Sequence, residues 1–263
     1  MKGEGRPHAL AQVAPGVRVR TSDLYLTTTT VVEGPNGACL VVDPAIAPAD
    51  MADLAGTLAA LGFAPAAGFA THPHWDHVLW SHALGDVERF ATARCVETAL
   101  RERRALWAAA AESGPGHAPD LFGRLTPLPE ADGSVPWPGP RALVLAHDAH
   151  APGHAALFLP EVGVLIAGDM LSDVEIPLLD TAAADPVGDY RRGLERLAAV
   201  AAAVRILVPG HGHVGDGEEL YRRLAADRRY LDDLEAGRKA SDARLAEPWL
   251  RQAHAAQSAR VHG

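Results

Sequence analysis

Four residues of metal-ligating type fall within six positions in His72-x-His74-x-Asp76-His77. Three more of the same character lie further along: His154 in Ala151-Pro152-Gly153-His154, Asp169 in Gly168-Asp169-Met170, and His211 in Pro209-Gly210-His211-Gly212. Neutral imidazole and carboxylate suit zinc, iron or manganese, and no cysteine accompanies them to make a soft thiolate site. A polar loop capping a helix accounts poorly for three histidines in one short stretch. Seven side chains are too many for one catalytic zinc, which takes about three protein ligands and a water. They suit two metals sharing one carboxylate. Such a pair, roughly 3.5–4 Å apart, clamps the oxygen of a reacting carbonyl or phosphoryl group and lowers the pKa of water to about 7, so no serine or cysteine nucleophile is needed.

These residues need elements that bring them together. Residues 17–20 and 24–32 read as strands, Asn36-Gly37 as a hairpin turn, and 38–42 as a short apolar strand stopping at Asp43-Pro44. Met51, Leu54, Leu58 and Leu61 recur at helical spacing over 48–61, and Gly62 ends that helix. A buried strand over 66–70 runs into the histidine motif. A helical turn is expected over 78–84, a strand over 88–93 and a helix over 96–111. Residues 113–140, rich in Gly and Pro, read as a long loop with one short strand, a length that goes with function in a compact domain. Strands over 143–146, 155–159 and 164–167, a helix over 184–204 and a strand over 205–208 follow, then helices over 218–235 and 245–260. Every candidate ligand falls where a strand gives way to a loop. Two similar βα halves imply an α/β protein, a four-layer αββα sandwich, as one domain over 1–263 with a helical C-terminal extension from about residue 216.

Composition narrows the classes. A chain of 263 residues buries a sizeable core without staples. With 24 Lys+Arg against 33 Asp+Glu the net charge is −9, a poor basis for general nucleic-acid binding. No apolar run approaches the roughly 18 residues of a membrane span, and the first ten residues hold no apolar core of a secretory signal. Cys39 and Cys95, both in apolar surroundings, read as buried and reduced. The expected location is the cytoplasm and the expected partner a small-molecule substrate, with neither nucleic acid nor membrane.

The motif, together with Gly-His at His154, Gly-Asp at Asp169 and Pro-Gly-His at His211 in that order, resembles the metallo-β-lactamase-fold metallohydrolase superfamily over roughly residues 17–214. The resemblance implies the αββα sandwich. Carried over by position, it implies a first metal on His72, His74 and His154, a second on Asp76, His77 and His211, and Asp169 bridging both. Asp43 matches a position that supports the metal loop. The ligand set is similar to the glyoxalase II type. The commonest true β-lactamases place a cysteine where Asp169 stands, and flavodiiron relatives a glutamate where His74 stands. The resemblance thus implies two divalent cations, zinc first, with iron or manganese as alternatives. It implies a hydrolase whose metal-bridging hydroxide cleaves a small-molecule ester, thioester or lactone, with Asp76 as the catalytic residue that orients the hydroxide and passes a proton to the leaving group. Phosphodiester hydrolysis, persulfide oxidation at a single iron, and a metal-binding scaffold without turnover are the alternatives.

Other residues have two readings each. His147, Asp148 and His150 either line the pocket or sit on an exposed loop. Trp75 and Trp80 either cover a substrate or pack. Asp173, Glu175 and Asp180 are expected to cap turns, with one of them free to face the pocket. His213 is expected in solvent, and His8, His117, His254 and His262 need no role. The 113–140 loop and the C-terminal helices are expected to roof the pocket.

Overall fold

The computed structural model describes residues 9–129 and 133–263; His8 and residues 130–132 of the expected long loop lie outside the described residues. The first sheet takes its strands in chain order: β1 (Ala11–Ala14), β2 (Val17–Thr21), β3 (Thr28–Glu33), β4 (Ala38–Val42), β5 (Ala64–Phe69), β6 (Arg89–Ala91) and β7 (Thr126–Pro127). Neighbours from β1 to β4 are antiparallel, and those from β4 to β7 are parallel. The second sheet is formed by β8 (Leu143–Ala146), β9 (Ala155–Leu159), β10 (Val164–Gly168), β11 (Ile206–Pro209) and β12 (Gly215–Asp216), in the order β12-β11-β10-β9-β8. Parallel neighbours need a crossover. Helices α1 (Pro48–Ala60), α2 (Ala93–Ser113) and α3 (Pro186–Val200) supply it between β4 and β5, β6 and β7, and β10 and β11. Helices α4 (Gly217–Glu235) and α5 (Pro248–His262) complete the chain.

Side chains alternate across each strand, and that alternation makes four layers. Leu40 and Val42 of β4 meet Val164 and Ile166 of β10 in the core between the sheets. Their neighbours Cys39 and Val41 turn outward onto Leu54 and Leu58 of α1. Leu165 and Ala167 of β10 turn the other way, onto Leu194 and Leu197 of α3 and Leu224 of α4. The result is the expected αββα sandwich, with three apolar interfaces between layers.

Departures from the sequence reading are local. The strand expected over 24–32 begins only at Thr28, because Tyr25 and Leu26 take left-handed φ of 57° and 50° and bend the chain. The turn expected over 78–84 shrinks to a 3-10 turn at His82–Leu84. The edge strands β1 and β12 carry no pattern strong enough to read. The described residues of 113–140 form the expected loop with one short strand, β7, and Leu121, Phe122, Leu128 and Val135 anchor it to the core. Among the described residues, no helix is long and apolar enough to cross a membrane.

Candidate metal centre

The parallel strands of each sheet point their C-terminal ends at one edge, and the candidate ligands gather there. Residues 71–77 leave the end of β5, Asp169 the end of β10, and His211 the end of β11. Backbone bonds stitch the two sheets together at this edge: Ala155 N–H donates to Thr71 O at 2.8 Å and Thr28 N–H to Gly210 O at 2.8 Å. The approach is too close for side chains on two residues. A Cβ on Gly168 (φ 56°) would meet His154 Nε2 at 2.6 Å, and one on Gly210 would meet Asp169 Oδ1 at 2.1 Å. The Gly-Asp and Gly-His pairs of the sequence are therefore steric requirements of the site.

Two groups of ligand atoms form. In the first, His72 Nε2 and His150 Nε2 each stand 3.0 Å from His74 Nδ1, and lie 3.4 and 3.5 Å from Asp169 Oδ2. In the second, Asp76 Oδ2 lies 3.3 Å from His211 Nε2 and 3.5 Å from His77 Nε2. Asp169 reaches this group as well, at 3.2 Å from His77 Nε2 and 3.4 Å from His211 Nε2. Tetrahedral zinc with bonds of about 2.0–2.1 Å to nitrogen sets ligand atoms about 3.3–3.4 Å apart, close to these separations.

The rings are held from behind. Asp43, at a left-handed φ of 48° that aspartate tolerates better than most residues, accepts from Thr71 N–H at 2.9 Å, Thr71 Oγ1–H at 2.7 Å and His77 Nδ1 at 2.9 Å. Thr71 Oγ1 has thus given its proton away, and it accepts from His72 Nδ1 at 3.0 Å. His150 Nδ1 donates to Leu178 O at 2.9 Å and His211 Nδ1 to Tyr25 O at 3.0 Å. Each partner keeps a proton on Nδ1 and turns Nε2 inward.

The donor set fits cations. His77 Nε2 and Asp169 Oδ1 are buried, face each other, and have no hydrogen-bond partner. Of the three nitrogens around His74 only one can donate, so a lone pair there is left without a proton. Burial holds His72 well below the ordinary imidazole range, with His77 adding to the effect; it lowers His74, and it pushes His150 down to about 4. Burial opposes charge on His77 and His211 too, but Asp169 and the other carboxylates around them win and raise both well above the ordinary value. His77 and His211 therefore carry protons where a cation would otherwise sit.

A cavity of about 980 Å³ opens over both groups, with His74, Asp76, His150, Asp169 and His211 on its floor. Its walls come from Tyr25, Trp75, the 178–184 segment, Trp249 and the α2 residues Arg94, Thr98, Arg101 and Glu102.

The structure brings together six of the seven ligands read from the sequence: His72, His74, Asp76, His77, Asp169 and His211. The seventh, His154, stands outside both groups, and His150 occupies the place expected of it in the first. His154 is fully buried behind His72, stacked on it and on His147, and its Nε2 accepts the Asp169 backbone N–H at 3.2 Å. His154 abuts β9, whose backbone pairing holds it back, while His150 sits at the tip of the β8–β9 connection. Trp75 lines the cavity, whereas Trp80 is buried against α1 and donates to Gly85 O. Glu175 and Asp180 line the cavity, while Asp173 pairs with the exposed His213 at 2.8 Å. The expected roof is corrected in part: among the described residues none of 113–140 lines the cavity, and Trp249 of α5 does. Nothing in the sequence sets Glu175 apart from its acidic neighbours. Burial pushes its carboxyl up to about 7, His211 opposing and Asp169 adding.

Fold and site together define a class, an αββα sandwich with a histidine–carboxylate cluster able to hold a dinuclear metal site at one edge. The model of the metallo-beta-lactamase superfamily matches residues 23–211, and the chain belongs to that superfamily, whose members are metal-dependent hydrolases. Among solved structures, a metallo-beta-lactamase family protein from Thermus thermophilus is 26% identical at a TM-score of 0.67, over 95% of this chain and 93% of that one. A beta-lactamase domain protein from Burkholderia ambifaria is 21% identical at 0.67, over 98% and 89%. The stereoselective inverting sec-alkylsulfatase Pisa1 from Pseudomonas sp. is 17% identical at 0.66; the match covers 86% of this chain and 42% of that longer enzyme. No curated protein matches by sequence.

Proposed function

We propose that the protein is a dinuclear metal hydrolase of small-molecule esters, thioesters or lactones. His72, His74 and His150 would hold one cation and Asp76, His77 and His211 the other, with the Asp169 carboxylate within reach of both. The observation that carries this reading is the Asp169 carboxylate, within 3.5 Å of ring nitrogens from both groups. An imidazole-rich set without thiolate favours zinc. When bound, two divalent cations supply Lewis-acid polarisation of the substrate carbonyl and a water acidic enough to act at neutral pH.

The chain's own residues do the rest. Asp43, Thr71 and the carbonyls of Tyr25 and Leu178 set the direction of the His77, His72, His211 and His150 rings. Burial opposes ionisation of Asp76, but His77 and His211 hold its carboxyl below the usual range, so it stands ionised on the cavity floor. There it accepts a proton from the attacking water and returns it to the leaving group. The net charge of −9 disfavours polynucleotide substrates. Two buried free cysteines suit a reducing compartment, which makes the cytoplasm the proposed location.

Assays on phenyl acetate, an acetyl thioester and a butyrolactone, with zinc and with EDTA, test the reading. Turnover of at least one, abolished by EDTA and restored by zinc, is expected. Absence of chelator-sensitive turnover on all three contradicts it.

A further inference from the structure

The outer wall of the cavity is built from apolar side chains on a segment pinned at both faces. Leu178 O accepts from the ring of His150 at 2.9 Å, and one residue on, Leu179 N–H donates to Gln257 Oε1 of α5 at 2.7 Å. Gln257 is only 3% exposed, and its Nε2 donates to Tyr230 OH at 2.7 Å, so both ends of its amide are committed. Arg260 of the same helix holds Thr181 O at 3.0 Å and Ala183 O at 2.8 Å. A segment without regular structure is thereby fixed between the metal site and the C-terminal helix.

Toward the cavity the segment presents Leu178 and Leu179, followed by Asp180, Thr181 and three alanines. Trp249 of α5, Trp75 and Tyr25 add aromatic surface to the same lining, beside Pro73 and Pro152. Trp249 is 46% exposed and Tyr25 59%, among the few large apolar side chains left in solvent. Tyr25 sits there in a left-handed conformation, while its carbonyl binds His211. Such strain in a non-glycine residue persists where the surroundings enforce it, most often at functional sites. The charged end of the cavity asks for little. Arg94 lies 2.6 Å from Asp148 and Arg101 2.9 Å from Glu102, and with Glu102, Glu175 and Asp180 in the same lining the side chains give the cavity no excess of positive charge to draw an anionic substrate.

We infer that the substrate is an ester or thioester with a bulky hydrocarbon arm, alkyl or aryl, on one side of the scissile bond, received by the wall of Leu178, Leu179, Trp249 and Trp75. This rests on the hydrolase reading and adds the substrate class to it.

Two homologous series test it on the zinc-loaded protein: S-acyl N-acetylcysteamines from acetyl to octanoyl, and alkyl acetates from methyl to octyl. Each buried methylene is worth about fourfold, so kcat/KM rises at least about 30-fold along one series even with partial burial. Trp249→Ala cuts that long-to-short ratio at least about fivefold, while Tyr221→Ala, on the exposed face of α4, leaves it within about twofold. Chelator-sensitive turnover with a flat or falling series, or a ratio untouched by Trp249→Ala, overturns this inference and leaves the hydrolase reading standing. Absence of chelator-sensitive turnover overturns the hydrolase reading, and calorimetry then decides the wall. Octanoate must bind wild-type protein at least about tenfold more tightly than acetate and lose that margin in Trp249→Ala; equal binding overturns the inference.

Discussion

The backbone N–H of Asp169 donates to Nε2 of His154 at 3.2 Å, while the Asp169 carboxylate turns the other way, toward His150 Nε2 at 3.5 Å. One aspartate thus meets two histidines of the same loop on opposite sides, His154 through its backbone and His150 through its carboxylate. His150→Ala is expected to lose one of two zinc equivalents on dialysis and to reduce kcat by about 10³-fold or more. His154→Ala keeps two zincs at saturating metal, with affinity weakened by about 10–100-fold, the usual cost of removing a group that orients a ligand. Elemental analysis of both variants checks this, and the opposite pattern restores His154 as the ligand.

Asp76 shares the second group with His77 and His211, a mixed group of carboxylate and imidazole beside the histidine group of His72, His74 and His150, and it also faces the cavity. Asp76→Ala is expected to lower kcat by about 10²–10⁴-fold, the scale of general acid–base catalysis, while circular dichroism and the melting transition show an intact fold. His213, two residues past a ligand, is exposed and paired only with Asp173 on the surface. Such pairs contribute about 0–1 kcal/mol, so His213→Ala keeps kcat within about threefold. Near wild-type turnover in Asp76→Ala removes its assigned role.

Asp43 supports the loop through its charge and both oxygens. Asparagine also tolerates the left-handed backbone at this position, so Asp43→Asn isolates the chemistry from the conformation. The variant loses one acceptor for Thr71 or His77. Zinc affinity at the mixed group is expected to drop about 10–100-fold with little change in melting temperature, read by competition with a chromophoric chelator. Unchanged affinity contradicts the supporting role.

The two groups bind metal with different pH dependence. His72, His74 and His150 are lowered by burial, so they stay neutral as pH falls below 7. His77 and His211 are raised by their carboxylates and hold protons at pH 7 without metal, so a cation at the mixed group must expel them. Affinity there falls with falling pH, by up to about a hundredfold per unit if two protons leave. Dialysis from about pH 7.5 to 5.5 is expected to release the mixed-group metal first. Loss from the histidine group first contradicts the assignment.

Much of this was legible in the chain because its signals are local. Met51, Leu54 and Leu58 marked α1, and the continuous apolar runs 38–42 and 164–167 marked two strands buried on both faces, between a helix and the opposite sheet. Six candidate ligands were legible because they fall in compact motifs that follow strand ends. His150 was not, since His147, His150 and His154 share one loop and only the pairing of β9 decides which ring is held back. The cavity wall was equally hidden. Residues 113–140 and 178–184 both lack periodicity, and tertiary bonds from Gln257 and Arg260 place the second at the site.

Anomalous diffraction from crystals of the zinc-loaded protein tests the central claim most directly. Two peaks are expected, one bounded by His72, His74 and His150 and one by Asp76, His77 and His211, with the Asp169 carboxylate between them. A single peak, or a peak held by His154 with His150 turned away, contradicts the account.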